Sequence, residues 1–218
     1  MKFLNFNKVL CLSPHPDDIE LGMLGTIIKH TDTIFDVLVM TKGCGSKEND
    51  FDETNKSNRL LEVENAWKSS KCKNVQIKFS DCNYFDDKKG NPDWIKYLDE
   101  IVANSKYEGI FIPPNDDSMF EHRFVNNLGS SLIRAKAISL IEYHTVSTLN
   151  TWIPNLFVNI EENYNTKLDA LKQFESQLSK SYFQKSTLDS FHSNFQCSKK
   201  ELNVVEKFKI IEMFEGIS

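Results

Sequence analysis

Apolar runs of strand length alternate with stretches of helical apolar spacing, which predicts an α/β fold. The expected architecture is Rossmann-like and three-layered, with a mostly parallel sheet flanked by helices. Three observations carry this. Short apolar runs recur at residues 9–12, 34–40, 75–80, 109–112 and 138–143, bounded by glycine, proline or polar residues. Residues between them place apolar side chains on one helical face, as Leu60, Leu61, Val63, Ala66 and Trp67 do. The chain has 218 residues, 40% of them hydrophobic, with 16 phenylalanines: enough for one sizeable core, so residues 1–218 are read as a single domain.

Taken in order, residues 9–12 (Val-Leu-Cys-Leu) form a buried first strand and residues 19–30 a helix. Residues 34–40 form a second strand ending in Thr41-Lys42-Gly43. Residues 46–58 are polar and acid-rich without periodicity, so they read as a long loop of the kind that binds ligands or covers them. A helix follows at 58–70, a strand at 75–80 and a polar loop at 81–91. A helix opening on Pro92 spans 92–105. The fourth strand, 109–112, ends in Pro113-Pro114 and leads through Asn115-Asp116-Asp117 into a helix at 121–136. The fifth strand, 138–143, is capped by His144. Residues 155–160 read as an outer strand and 165–179 as a helix. A phenylalanine-rich linker, a short helix at 199–207 and a strand at 208–214 complete the chain.

The function classes narrow quickly. A formal charge of −5 and no Lys/Arg block argue against a nucleic-acid partner, which requires a concentrated basic face. No apolar run approaches membrane-spanning length, and the N-terminal run is too broken for a signal peptide. Five cysteines, an odd number without Cys-x-x-Cys spacing, suit a reduced, cytoplasmic compartment, with Cys11 in the core and Cys44, between two glycines, able to edge a pocket.

The chemistry concentrates where the first strand hands over to the first helix, at Pro14-His15-Pro16-Asp17-Asp18. The prolines fix φ on either side of His15 and hold the loop in one conformation. One imidazole and two carboxylates suit a divalent ion with a proton acceptor beside it. They equally suit a turn in which Asp17 or Asp18 caps the helix. A three-ligand site needs one more residue from elsewhere. In parallel sheets ligands bind beyond the carboxyl ends of the strands, so clusters following separate strands converge there. His122 can then join His15 and Asp18, leaving a fourth position for water.

Pro14-His15-Pro16-Asp17-Asp18-Ile19-Glu20-Leu21-Gly22, followed by Gly25-Thr26-Ile27, resembles the signature of the PIG-L/LmbE-like N-deacetylases. These are zinc enzymes that remove acetyl groups from N-acetylglucosamine-type sugars. Arg59, Glu62 and Ala66 are similar to the family's Arg-x-x-Glu-x-x-x-Ala motif, in which the arginine lies near the active site. Lys167, Ala170-Leu171 and Ser176-Gln177 resemble its late Lys-x-x-Ala-Leu and Ser-Gln pattern. The resemblance implies His15, Asp18 and His122 as metal ligands and Asp17 as general base. In one place the chain departs from it: the usual His-x-Asp-His is Met119-Phe120-Glu121-His122 here. A thioether cannot stabilise an oxyanion or donate a proton. Arg59, Asp117 or His144 is expected to take that role at the substrate, or else the enzyme is slower or acts on a different acyl donor.

The expected activity is metal-dependent N-deacetylation of an amino sugar or its conjugate, with zinc, or iron(II) or manganese, as cofactor. Hydrolysis of another amide or a formyl group is the alternative, as is sugar binding without catalysis, which Met119 favours and Asp17 opposes. The expected partner is a small-molecule amino sugar, with specificity in loops 46–58 and 81–91. A homo-oligomer is compatible with the sequence and not specified by it.

Overall fold

The computed structural model describes residues 1–43, 53–80, 82, 85, 92–134, 137–193 and 204–214. Among these residues seven strands form one sheet: β1 (Lys8–Ser13), β2 (Ile34–Val39), β3 (Val75–Phe79), β4 (Gly109–Ile112), β5 (Ser139–Tyr143), β6 (Leu156–Asn159) and β7 (Val205–Glu212). Their spatial order is β3-β2-β1-β4-β5-β7-β6. The first five are mutually parallel, and β7 runs antiparallel to both β5 and β6. The order reverses at β1, which pairs with β2 on one side and β4 on the other, so the crevice beyond their carboxyl ends is the natural ligand site.

Six helices among the described residues cover the sheet: α1 (Asp18–Lys29), α2 (Glu53–Ser70), α3 (Pro92–Ala103), α4 (Phe120–Ser131), α5 (Glu161–Leu171) and α6 (Lys185–His192). Because strand side chains alternate, Val9 and Cys11 join one core with α1, α2, α5 and α6, while Leu10 and Leu12 join a second with α3 and α4. This is the expected three-layer α/β architecture. Helix α1 lies so close to the sheet that a Cβ on Gly22 would stand 2.7 Å from the Tyr143 ring, and one on Gly25 would stand 2.8 Å from Ile160. Cys11 is buried in the core, as expected.

Several expected boundaries move. Helix α2 begins at Glu53, inside the expected loop, because residues 53–58 carry no apolar side chain for periodicity to register. Helix α4 ends at Ser131 and tightens into a 3-10 turn, Leu132–Arg134. Helix α5 occupies Glu161–Leu171 rather than 165–179: the Asn159 side chain accepts from the Glu161 amide at its start, and fully buried Phe174 turns into the core after its end. The linker contains α6, held by buried Leu188 and His192. The helix expected at 199–207 is strand from Val205 onward, where pairing with two neighbours overrides the helix preference of Glu206 and Lys207. Cys44 and most of loops 46–58 and 81–91 lie outside the described residues.

Candidate active site

The loop after β1 is built by local hydrogen bonds that aim its polar groups into the crevice. Ser13 Oγ donates to the His15 carbonyl at 2.7 Å, and the His15 amide donates to Asp18 Oδ2 at 2.8 Å. Asp18 opens α1, where a carboxylate is favoured by the helix dipole. Asp17 precedes it at φ 141°, a conformation costing a residue with a Cβ on the order of 1–3 kcal/mol. The Leu21 amide, donating to the Asp17 carbonyl at 2.8 Å, holds it there. Thr41, just past β2, donates from Oγ1 to the Pro14 carbonyl and braces the loop from the neighbouring strand.

Helix α4 delivers His122 from the other side of the crevice. Its Nδ1 lies 2.9 Å from Asp117 Oδ2 and 3.2 Å from Ser147 Oγ. Asp117 is itself fixed: Oδ2 accepts from Thr145 Oγ1, and Oδ1 from the Met119 amide at 2.8 Å. An acceptor at Nδ1 selects the tautomer that leaves the Nε2 lone pair facing the crevice. That Nε2 is buried, stands 3.3 Å from Asp18 Oδ1 outside hydrogen-bond geometry, and has no other partner among the described residues.

His15, Asp18 and His122 thus bring one ligand atom each to within 4.8 Å of one another. Two imidazoles and a carboxylate suit zinc, iron(II) or manganese, and the unpartnered Nε2 has the lone pair such an ion needs. Electrostatics agree. Burial works against the Asp18 anion, but His122 and His15 outweigh it and hold the carboxyl well below the usual range. Burial opposes a charged His122, yet Asp18 and Asp117 raise it, so this pocket favours positive charge, which a bound cation would supply in place of the Nε2 proton.

Asp17, on the same loop, behaves differently. Burial pushes its carboxyl up to about 6, against the pull of Arg59. Arg59 reaches it from α2, one turn before Val63 and two before Ala66 on the same buried face; Nη2 donates to the Pro16 carbonyl at 2.7 Å and lies 3.4 Å from Asp17 Oδ2. Glu62 stands behind the guanidinium, 3.9 Å from Nη1, and accepts from both the amide and the hydroxyl of Ser176 at 2.7 Å. Gly43, at φ 63°, lets the end of β2 pass close by, since a Cβ there would press within 2.9 Å of Pro16 and 3.3 Å of Arg59.

The sequence-derived residues therefore separate. His15, Asp17, Asp18, Arg59, Asp117 and His122 share one cluster. His144 does not join it: its ring is stacked between Trp152 and Phe191, at centroid distances of 5.1 and 4.3 Å. Burial, with Lys207 nearby, pulls His144 down to about 3, and it lines a separate pocket of about 360 Å³ with Trp152, Ile153 and Lys207. Sequence reasoning missed Thr145 and Ser147, although the polar run after β5 is a usable signal. It also missed Tyr182, in the segment taken as linker. Burial and the Asp17 anion push that phenol above its ordinary value, with Arg59 acting the other way.

The model of one protein family, described as PIG-L, GlcNAc-PI de-N-acetylase, matches residues 10–133. The chain belongs to the PIG-L family. Among its relatives, diacetylchitobiose deacetylase of Thermococcus kodakarensis is 28% identical over 194 residues, covering 80% of this chain and 72% of that protein. The solved N,N'-diacetylchitobiose deacetylase of Pyrococcus horikoshii has a TM-score of 0.73 at 23% identity, covering 96% of this chain and 85% of that one. The 4-carboxy-2-hydroxymuconate hydratase GalB of Pseudomonas putida matches over all of both chains at TM-score 0.70 and 14% identity. These structural likenesses show a shared fold. The PIG-L match includes His15 to Asp18, Arg59 and His122, and ends before Ser176.

The contacts of Asp117 make it an orienting residue for His122. Asp117→Asn is expected to weaken zinc binding by about 10–100-fold in competition with a chromogenic chelator. Unchanged affinity would remove Asp117 from that role.

Proposed function

We propose that this chain is a metal-dependent N-deacetylase that hydrolyses the acetamide of an N-acetylated amino sugar or its conjugate. The observation that carries the reading is the convergence of His15, Asp18 and His122 beside Asp17, which lies between the first two in the chain. PIG-L membership and deacetylase relatives support it. His15, Asp18 and His122 would hold the ion, with zinc the expected one and iron(II) or manganese also suited. A divalent ion held there supplies Lewis acidity, lowering the pKa of water and polarising an amide carbonyl.

The chain's own residues do the rest. Asp17 accepts a proton from the attacking water and returns it to the departing nitrogen. Water oxygen bonds to the acetyl carbon, the C–N bond breaks, acetate leaves and the amine carries the proton away. Arg59 steadies Asp17 through Nη2, and Asp117 orients His122. His144, enclosed by its two aromatic neighbours, has no part in this scheme.

The test is acetate release from N-acetylglucosamine and N,N'-diacetylchitobiose, measured on the purified chain, after chelator treatment, and after zinc is restored. Release that stops on stripping and returns with zinc is the expected result. Protein carrying one metal per chain that frees no acetate from any N-acetyl sugar would exclude the deacetylase reading.

A further inference from the structure

Apart from the metal cluster, the pocket beside His144 joins apolar walls to a cation that lacks a counter-charge. Antiparallel pairing of β6 with β7 sets Phe157 opposite Lys207, so both side chains leave the sheet on the same face. The His144 amide donates to the Lys207 carbonyl at 3.0 Å and brings the end of β5 alongside them. Trp152, fixed where its Nε1 donates to Glu142 Oε2 at 2.7 Å, and the largely exposed Ile153 extend the apolar wall. The enclosed volume, about 360 Å³, is at the small end of ligand pockets, which span about 300–1,000 Å³.

The polar groups at this pocket ask for an anion. Lys207 is half-buried, and Nζ donates one of its three hydrogens to the Phe191 carbonyl at 3.0 Å. Among the described residues it has no carboxylate partner, and burial draws the ammonium below its ordinary value with nothing offsetting it. Stacking between Trp152 and Phe191 covers the faces of the His144 imidazole and leaves its edge, whose nitrogens have no hydrogen-bond partner among the described residues. One half-buried cation matches a single negative charge, and two carboxylate oxygens match the remaining ammonium hydrogens and an imidazole N–H. A phosphate dianion would leave one charge unmatched.

We propose that this pocket binds a small monocarboxylate carrying an apolar body of about one ring, its carboxylate on Lys207 and the edge of His144, its body against Trp152, Ile153 and Phe157. The inference goes beyond the deacetylase reading and does not depend on it. The two sites nonetheless share a wall: Thr148 lines this pocket and lies 2.9 Å from Thr145 Oγ1, which donates to Asp117.

The test is a saturation-transfer NMR titration of the zinc-loaded chain with phenylacetate, 2-phenylethanol and acetate. Phenylacetate is expected to bind with a Kd of about 1 mM or tighter, and the uncharged alcohol and the ringless acetate each about tenfold or more weakly. Lys207→Met is expected to weaken phenylacetate by about tenfold or more. Because Lys207 also braces Phe191, Ile153→Glu is the second variant: the side chain is 73% exposed, so the fold is kept, and the added carboxylate should repel the ligand by about tenfold or more. A phenylacetate Kd above about 10 mM, or equal binding of either comparison ligand, would overturn the assignment. So would full affinity in Ile153→Glu. Affinity kept in Lys207→Met but lost in His122→Ala would place the carboxylate at the metal cluster instead.

Discussion

Asp17→Asn is expected to lower kcat for acetate release by about 10²–10⁴-fold with zinc content unchanged, measured by single-turnover acetate assays beside elemental analysis. The size follows from what asparagine keeps and loses. It keeps the shape and an oxygen to accept from Arg59, so the loop and its neighbouring ligands have no reason to move. It loses the capacity to take a proton. The same exchange removes a buried carboxylate that stands beside Asp18, at a residue whose φ of 141° is itself strained. The variant should therefore be as stable as the wild type or slightly more so, the pattern expected when a residue is retained for chemistry at a cost to the fold. A rate within tenfold of wild type would take the base role away from Asp17. Lost zinc would mean that the substitution disturbed the ligands and not the proton transfer alone.

The sheet and its functional loop were legible because the same residues signal both. Val9 to Leu12 is apolar on both faces, as a central parallel strand must be, and the prolines that follow can extend neither strand nor helix. His15, Asp18 and His122 were legible as a set because parallel topology brings the loops after β1 and β4 to one edge. What the sequence left hidden depends on partners distant along the chain. Helix α6 and Tyr182 looked like linker because their apolar residues are sparse and pack on segments far away. Glu206 reads as a helix former until its carboxylate is seen accepting from Gly25 and Thr26. His144 follows β5 as the topology requires, yet its ring turns toward Trp152 and Phe191, and side-chain direction at a strand end is set by whichever neighbour packs it. Asp117 was expected at the substrate, but its oxygens are engaged within the protein, Oδ2 by His122 and Thr145 and Oδ1 by the Met119 amide.

Lys167→Met is expected to destabilise the fold by about 3–5 kcal/mol, since it leaves a buried carboxylate without its cation. For a chain of this size that corresponds to a drop of roughly 6–20 °C in Tm, read by calorimetry. Lys167 is fully buried, donating to Glu206 Oε1 and to the Leu21 carbonyl, each at 2.6 Å. Glu206 in turn accepts from the Gly25 and Thr26 amides at 2.8 and 2.6 Å. The pair thus ties α5 and β7 to the middle of α1, whose first residue is Asp18. Burial pulls the lysine below its ordinary value and Glu206 opposes that. Combining Lys167→Met with Glu206→Gln should recover part of the loss, because the amide oxygen still accepts from one helix amide while no charge remains unpaired. A single Lys167→Met variant melting with the wild type would show that α1 is held by its apolar packing alone. The expected loss would instead mean that the helix beginning at the metal-ligand candidate Asp18 is pinned by an ion pair on its far side, contributed by segments beyond the family match.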